Sequence, residues 1–115
     1  MIDSYKDLTD DISKYIAELR KVQPDTMSAF SQMAKSATAK GVLDTKTKEL
    51  IALAIGVAVR CDGCIGFHTK TLHRLGTTRD ELAETLAMSV YMGGGPSLMY
   101  AANALKAYDE FAKQN

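Results

Sequence analysis

The residues with the most evident chemistry are two cysteines and a histidine that lie close together in the chain. The stretch RCDGCIGFH at 60–68 holds both cysteines and one of the two histidines of the 115-residue sequence. Cys61, Cys64 and His68 are spaced i, i+3 and i+7, so a helix would present all three on one face. This pattern is compatible with a redox dithiol, with a metal site, or with side chains packed in a core.

The helix start favours thiol chemistry. Cys64 and His68 are i, i+4 neighbours, so the imidazole can take the thiol proton. Cys61 falls at or just before the first turn, where free N–H groups and the helix dipole favour a thiolate. Helical neighbours three apart have Cβ atoms about 5–6 Å apart, whereas a disulfide needs about 3.5–4.5 Å. If the two cysteines form a disulfide, Cys61 must therefore lie outside helical geometry. We expect such a disulfide to be readily reduced.

Glu49 is the candidate carboxylate to support the histidine. If the chain folds back near residue 60, Glu49 lies roughly 16 Å along one helix and His68 roughly 12 Å along the next. The ten residues after Glu49, LIALAIGVAV, carry no polar side chain, so its carboxylate lies near the core, where an unpaired charge is costly. We expect Glu49 to orient and charge-stabilise His68. The alternative is an acid in solvent that only complements the helix dipole.

The spacing of apolar residues predicts an all-α fold of about six helices, with no period-two alternation that would indicate a strand. The helix carrying 50–59 is central and apolar, and the Cys-x2-Cys pair opens the next one. Capping and breaking residues separate the helices at Pro24, Gly41–Asp44, Cys61, Gly76–Thr78 and the GGGP run at 93–96.

Length, charge and hydropathy narrow the class of protein. Residues 1–115 suit a single domain whose core needs no metal or structural disulfide. Fourteen basic and fourteen acidic side chains without a basic patch argue against nucleic-acid binding. The charged N-terminal segment is unlike a signal peptide, and the longest apolar run is about half a membrane span. These features predict a cytoplasmic protein with no membrane partner, where thiols are kept reduced.

The apolar third helix also predicts assembly. A helix that is apolar all round must be covered on all sides, and five neighbours in so short a chain leave part of that cover to another subunit. We expect a homo-oligomer; the alternative is a central helix enclosed within a monomer.

The spaced residues Glu49, Cys61, Cys64 and His68 form the pattern Glu-x11-Cys-x2-Cys-x3-His, which resembles the signature of the alkylhydroperoxidase AhpD-like, carboxymuconolactone decarboxylase superfamily. The segments DTKTKELIALAIGVAVRC, TRDELAET and YMGGGPSLMYAANAL extend the resemblance over about residues 40–112. It implies an AhpD-like helical domain that assembles into trimers or hexamers and acts as a thiol peroxidase or disulfide reductase. By position, Cys64 would attack the peroxide, Cys61 would resolve the product, and Glu49 with His68 would activate Cys64.

The chain departs from the best-studied alkylhydroperoxidases at the two residues between the cysteines. Those members have a histidine there, whereas this sequence has Asp62-Gly63. The departure bears on peroxidase turnover and on the reducing partner, which in those members carries a lipoyl group and here is an unidentified thiol protein. The lactone-decarboxylating branch lacks the cysteine pair, so lactone decarboxylation is the less favoured activity for this chain.

The resulting hypothesis is a peroxidase cycle that requires no metal or organic cofactor. Cys64 attacks a hydroperoxide and becomes a sulfenic acid, Cys61 condenses with it, and a partner thiol reduces the disulfide. The substrate is a hydroperoxide or a disulfide.

Two further alternatives remain open, a zinc site and a redox-responsive scaffold without turnover. Zinc would use the cysteines and His68, with His73 or Asp62 as the fourth ligand. His73 lies about 140° around the helix from His68 and is predicted to be a solvated surface side chain.

Overall fold

The structure, a computed structural model, describes residues 1–114, which form five helices and no strand. The helices are α1 (Tyr5–Val22), α2 (Pro24–Thr38), α3 (Thr45–Ala58), α4 (Asp62–Arg74) and α5 (Arg79–Ala112). The predicted all-α fold is confirmed. The count is five rather than about six because the expected last two helices form one bent element.

The bend in α5 lies at Gly94. Its φ of 69° and ψ of −150° are the only non-helical values within α5. A positive φ of this kind favours glycine, which has no Cβ to clash with the backbone. The predicted turn at the GGGP run is therefore a kink at a single residue, two positions before Pro96.

The starts of α3 and α5 are fixed by their own side chains. Asp44 accepts the Thr47 N–H at 2.8 Å, and Thr78 with Glu81 forms the predicted capping box. The Lys46 ammonium lies 2.6 Å from the Glu81 carboxylate, so the two helix starts are also joined to each other.

The core forms where α3, α4 and α5 pack together, because α3 contacts both of the others and they contact each other. Its largest fully buried apolar side chains are Tyr5, Leu53, Val57, Ile65, Leu72 and Leu82. No helix within residues 1–114 is long and apolar enough to cross a membrane.

The first half of α1 lies across α4 at two glycines. A Cβ placed on Gly66 would come within 2.6 Å of Thr9 Cγ2, and one placed on Gly63 within 3.0 Å of Ile12 Cδ1. Thr9 is only 1% exposed, so it has little room to withdraw. These glycines let α1 cover the helix that carries the cysteines.

The carboxylate of Glu110 holds the start of α1 against α5. It accepts the backbone N–H of Tyr5 at 2.8 Å, that of Lys6 at 3.0 Å and the hydroxyl of Ser4 at 2.9 Å. Partial burial raises the pKa of the Glu110 carboxyl, but these hydrogen bonds outweigh it and hold the pKa below its usual value.

The second half of α1 and all of α2 stand outside the core. We call residues 13–38 the hairpin arm. Every residue of its α1 portion is exposed, and α2 has no buried residue. Within the chain, α2 therefore packs mainly on α1 and contributes no side chain to the core.

Replacing Gly66 by alanine should destabilise the protein by about 1–3 kcal/mol, because the new Cβ overpacks the contact with Thr9. Urea unfolding followed by circular dichroism measures the change. Gly41→Ala is the control: the nearest atom to a Cβ there is the flexible Lys48 Nζ at 3.9 Å, so the stability should change by less than about 1 kcal/mol. Equal stability changes in the two variants would contradict the close packing of α1 on α4.

Replacing Glu110 by glutamine should cost about 1 kcal/mol at neutral pH, since the charged cap of α1 is lost. A lowered pKa in the folded state gives stability that is full above the ordinary glutamate pKa of about 4.3. That stability disappears as the pH falls through the lowered folded value. The difference between wild type and Glu110→Gln should therefore shrink on acidification in urea titrations from pH 7 to 3. Glu84→Gln, at an exposed position of α5, removes the same charge and should show no such trend.

Candidate redox site

The two cysteines at the start of α4 are joined by a disulfide, with their Cα atoms 5.2 Å apart. Cys61 is the N-cap of α4 and has extended geometry, with φ −104° and ψ 99°. The prediction that Cys61 lies outside helical geometry is confirmed. Its sulfur accepts the N–H of Cys64 at 3.1 Å, so it lies at the positive end of the helix dipole. Both cysteines are partly exposed, which leaves the bridge open to reductants.

The turn that leads into the cysteines depends on Gly56 and Arg60, which the sequence reasoning missed. A Cβ on Gly56 would lie 3.0 Å from Cys64 Cβ, so this glycine lets α3 approach α4 at the reactive residue. Arg60 has a φ of 61°, unusual for a residue with a side chain. The one glycine within the apolar run of α3 was the available signal for Gly56; nothing local marks Arg60.

Glu49 and His68 meet as the fold-back argument predicted. Glu49 Oε2 lies 2.6 Å from His68 Nδ1, and Glu49 is only 6% exposed. The alternative of an acid lying in solvent is therefore wrong. With the carboxylate accepting from Nδ1–H, the other ring nitrogen, Nε2, is left to exchange a proton. The His68 side chain is 29% exposed, which leaves the ring partly open to solvent.

The structure thus brings the four candidate residues together in two pairs. Cys61 and Cys64 are bonded, and Glu49 contacts His68. The approach of His68 to Cys64 rests on their i, i+4 spacing along α4, and the catalytic roles of all four residues stay predictions.

The position between the cysteines is covered by α1. Ile12 lies against Gly63, at a distance that leaves no room for a larger side chain unless Ile12 moves. Tyr5 is fully buried beside Gly66, and its hydroxyl has no hydrogen-bond partner in the described part of the chain. Burial, followed by the nearby charge of Asp62, raises the pKa of Tyr5 to about 12. Ile12, Tyr5 and the nearby Asp62 carboxylate therefore surround the residues between the cysteines.

His73 lies five residues after His68 on α4 and packs against Tyr108. The expectation of a solvated surface histidine is wrong: the residue is half-buried, and its ring meets the edge of Tyr108 with centroids 5.7 Å apart. Tyr108 is held in turn, since its hydroxyl donates to the Thr77 carbonyl at 2.7 Å. Among residues 1–114, no three side chains of histidine, cysteine, aspartate or glutamate are grouped as metal ligands would be.

The chain is thus an all-helical protein that opens one helix with a disulfide and pairs a buried glutamate with a partly exposed histidine. Residues 24–107 match the carboxymuconolactone decarboxylase family, and the chain belongs to that family. The resemblance inferred from the spaced motif is thereby confirmed.

Three known proteins show how far the similarity extends. The crystal structure of a carboxymuconolactone decarboxylase family protein from Legionella pneumophila is 58% identical, with a TM-score of 0.93 and coverage of 95% of this chain and 97% of that one. An uncharacterized protein of Cupriavidus necator is 46% identical over 99 residues, covering 86% of this chain and 88% of that protein. A Thermotoga maritima family protein, described as possibly involved in antioxidative response, is 24% identical with a TM-score of 0.72 over 86% and 91% of the two chains. At that identity the likeness is one of fold.

The left-handed conformation of Arg60 generates a prediction about stability. Arg60→Gly should be more stable than Arg60→Ala by about 0.5–1 kcal/mol, because alanine keeps the Cβ clash that glycine removes. Urea unfolding of both variants measures the difference. The matched pair is at Val59, where φ is −91°: there alanine should be the more stable replacement. A result in which Arg60→Ala matches or exceeds Arg60→Gly would show that the turn is not left-handed in solution.

Proposed function

We propose that this protein is a thiol-dependent peroxidase that reduces hydroperoxides through Cys61 and Cys64. The observation that carries the proposal is the contact of Glu49 with His68, one helical turn after Cys64. A nucleophile, a base and a group that orients the base are the parts that thiol activation requires. Family membership supports a thiol oxidoreductase, because this chain has the cysteine pair of the alkylhydroperoxidase-like branch.

The first step is oxidation of Cys64 in the reduced protein. His68 Nε2 takes the thiol proton, and the thiolate attacks the terminal oxygen of the hydroperoxide. A sulfur–oxygen bond forms while the oxygen–oxygen bond breaks, and the leaving alkoxide takes the proton back from His68. The products are an alcohol and a Cys64 sulfenic acid.

The second step forms the disulfide that the structure contains. The Cys61 thiolate attacks the Cys64 sulfur and displaces hydroxide, which takes up a proton and leaves as water. In total, one hydroperoxide and two thiols become an alcohol, water and one disulfide. The position of Cys61 at the N-cap favours its thiolate form through the helix dipole and the Cys64 N–H.

Glu49 makes the histidine an effective base. Its carboxylate is only 6% exposed and lies 2.6 Å from His68 Nδ1, so it is a fixed acceptor for a proton on that nitrogen. It also fixes the ring through Nδ1, which leaves Nε2 to exchange a proton. Glu49 thus acts through His68 and is a positioning residue.

The cycle closes with a dithiol supplied by a partner protein, which reduces the bridge through a mixed disulfide. This step requires a reducing compartment, and we assign the protein to the cytoplasm on that ground. We further propose that the working form is a homo-oligomer, a trimer or a hexamer, since α3 leaves Ile51 and Ile55 about half exposed.

A single-turnover experiment with cumene hydroperoxide tests the assignment. One equivalent should remove both thiols of the reduced protein and lower its mass by about 2 Da. Cys64→Ser should not react. Cys61→Ser should consume the first equivalent near the wild-type rate and gain about 16 Da as a sulfenic acid.

The relay is tested in the same assay. Glu49→Gln should slow the first turnover by about 100-fold, because general-base assistance is typically worth that much or more. His73→Gln, on the same helix but packed on Tyr108, is the control and should react at the wild-type rate. Equal first-turnover rates in Cys61→Ser, Cys64→Ser and wild type would rule out Cys64 as the attacking thiol.

A further inference from the structure

We propose that Asp62, which lies between the two cysteines, makes the Cys61–Cys64 disulfide harder to reduce by opposing the thiolate form of Cys61. The inference rests on the proposed redox use of the disulfide and adds the residue that sets how strong a reductant the partner must be. Its test is separate from the peroxidase step, because a redox equilibrium with a small thiol needs no peroxide.

Asp62 and Cys61 are neighbours at the start of α4. Cys61 is the N-cap, and Asp62 is the first residue of the helix. Their Cα atoms are about 3.8 Å apart across one trans peptide, so the carboxylate and the sulfur stay within a Debye length of about 10 Å. A negative charge at such a distance disfavours a second negative charge. Cys61 gains that second charge only when the disulfide is reduced and its thiol ionises.

The charge of Asp62 is not neutralised within the chain. None of the ion pairs formed within residues 1–114 includes Asp62. The residue is neither buried nor fully exposed, so water screens its charge only in part. The charge also acts across the interface with α1: after burial, Asp62 is the largest cause that raises the pKa of Tyr5 to about 12.

The start of α4 otherwise favours a thiolate at Cys61. The sulfur accepts the Cys64 N–H at 3.1 Å and lies at the positive end of the helix dipole. Stabilising a thiolate stabilises the reduced protein and makes a disulfide more oxidising. Asp62 opposes this effect, because its carboxylate interacts with the same end of the dipole and the same free N–H groups. Two anions then compete for one set of donors, but only in the reduced protein.

The other charged and titratable groups near the disulfide do not supply the same effect. They come from the turn and from each helix that packs on α4: Arg60 on the turn, Glu49 of α3 with His68, Tyr5 of α1, and Tyr100 and Glu110 of α5. Glu49 is paired with His68, Glu110 accepts hydrogen bonds from the start of α1, and Arg60 carries the opposite charge. Asp62 is therefore the carboxylate next to Cys61 that no described cation pairs.

The consequence for the cycle concerns the reductant. When the disulfide is reduced, a partner dithiol becomes a disulfide, and Cys61 and Cys64 take up two electrons and two protons. Because Asp62 disfavours the Cys61 thiolate, the reduced pair gives its electrons to a hydroperoxide more readily. Regeneration then requires a more strongly reducing partner dithiol.

The first test is the ionisation of Cys61, followed by thiolate absorbance in Cys64→Ser, where Cys61 is the only thiol. Adding Asp62→Asn should move the titration midpoint down by about half to one pH unit, as expected for two charges roughly 7 Å apart under partial screening. Asp62→Glu keeps the charge and should keep the midpoint of the Cys64→Ser parent. Asp80→Asn is the matched control, since Asp80 is an exposed acid in the first turn of α5. It follows the far end of α4, about 18 Å along that helix, and should leave the midpoint unchanged.

The second test is the equilibrium of the intact cysteine pair with glutathione, in which two glutathione thiols reduce one protein disulfide and become one glutathione disulfide. On the alkaline side of the Cys61 midpoint, Asp62→Asn should be reduced about threefold to tenfold more favourably than wild type, and tenfold corresponds to about 30 mV. On the acid side the thiol is neutral in both proteins, so the two equilibrium constants should be equal.

Three results would overturn the proposal: equal midpoints with and without Asp62→Asn, an equal shift in Asp80→Asn, or a change in the glutathione equilibrium that is the same at every pH. The last result would mean that Asp62 affects the geometry of the disulfide rather than the charge of Cys61. If the midpoint and the equilibrium shift as expected but cumene hydroperoxide does not oxidise the reduced wild type, the peroxidase assignment falls and the role of Asp62 stands. Unchanged midpoints with normal peroxide oxidation reject the role of Asp62 alone.

Discussion

One buried carboxylate constrains the arrangement of the central helices. Glu49 is placed at the start of a helix that is otherwise apolar, and removing such a charge from water costs several kcal/mol unless it is paired. Its partner is His68, 19 positions later. For the two to meet, α3 and α4 must fold back on each other at residues 59–61. The same reversal places both cysteines at the start of α4, so the pairing of one acid determines where the thiols lie.

Three glycines allow the helices around the cysteines to pack closely against one another. Gly56 lets the end of α3 touch Cys64, while Gly63 and Gly66 admit α1 on the other side of α4. Helix α4, which carries Cys64, therefore packs closely against α3 on one side and against α1 on the other. Such packing fixes the positions of the sulfur atoms and of the imidazole to within small limits, as a proton relay requires.

The packed chain leaves two apolar surfaces uncovered. The core takes one face of α3 and the first half of α1, which leaves the opposite face of α3 and the whole hairpin arm without cover. Contiguous exposed apolar patches on a protein often mark interaction sites. The helix that carries Glu49 is also the one whose far side carries the exposed Ile51 and Ile55.

The sequence by itself determined the features that depend on short-range geometry. The helix starts at Asp44 and Thr78, the extended conformation of Cys61 and the meeting of Glu49 with His68 all follow from capping rules, helical periodicity and the rise per residue. Each involves neighbours along one helix or two helices joined by a short turn, so a local rule suffices. The family resemblance came from the same short motif.

Tertiary structure alone decided what covers the site and what remains bare. Ile12 lies against Gly63, and His73 packs on Tyr108. Arg60 has a left-handed conformation, and the predicted turn at the GGGP run is a kink at Gly94. Each depends on residues distant in sequence or on how the whole core closes, and a single sequence carries no local signal for such contacts. The apolar stripe of α2 has the spacing of one that would be buried; only the packed chain shows that it stays exposed.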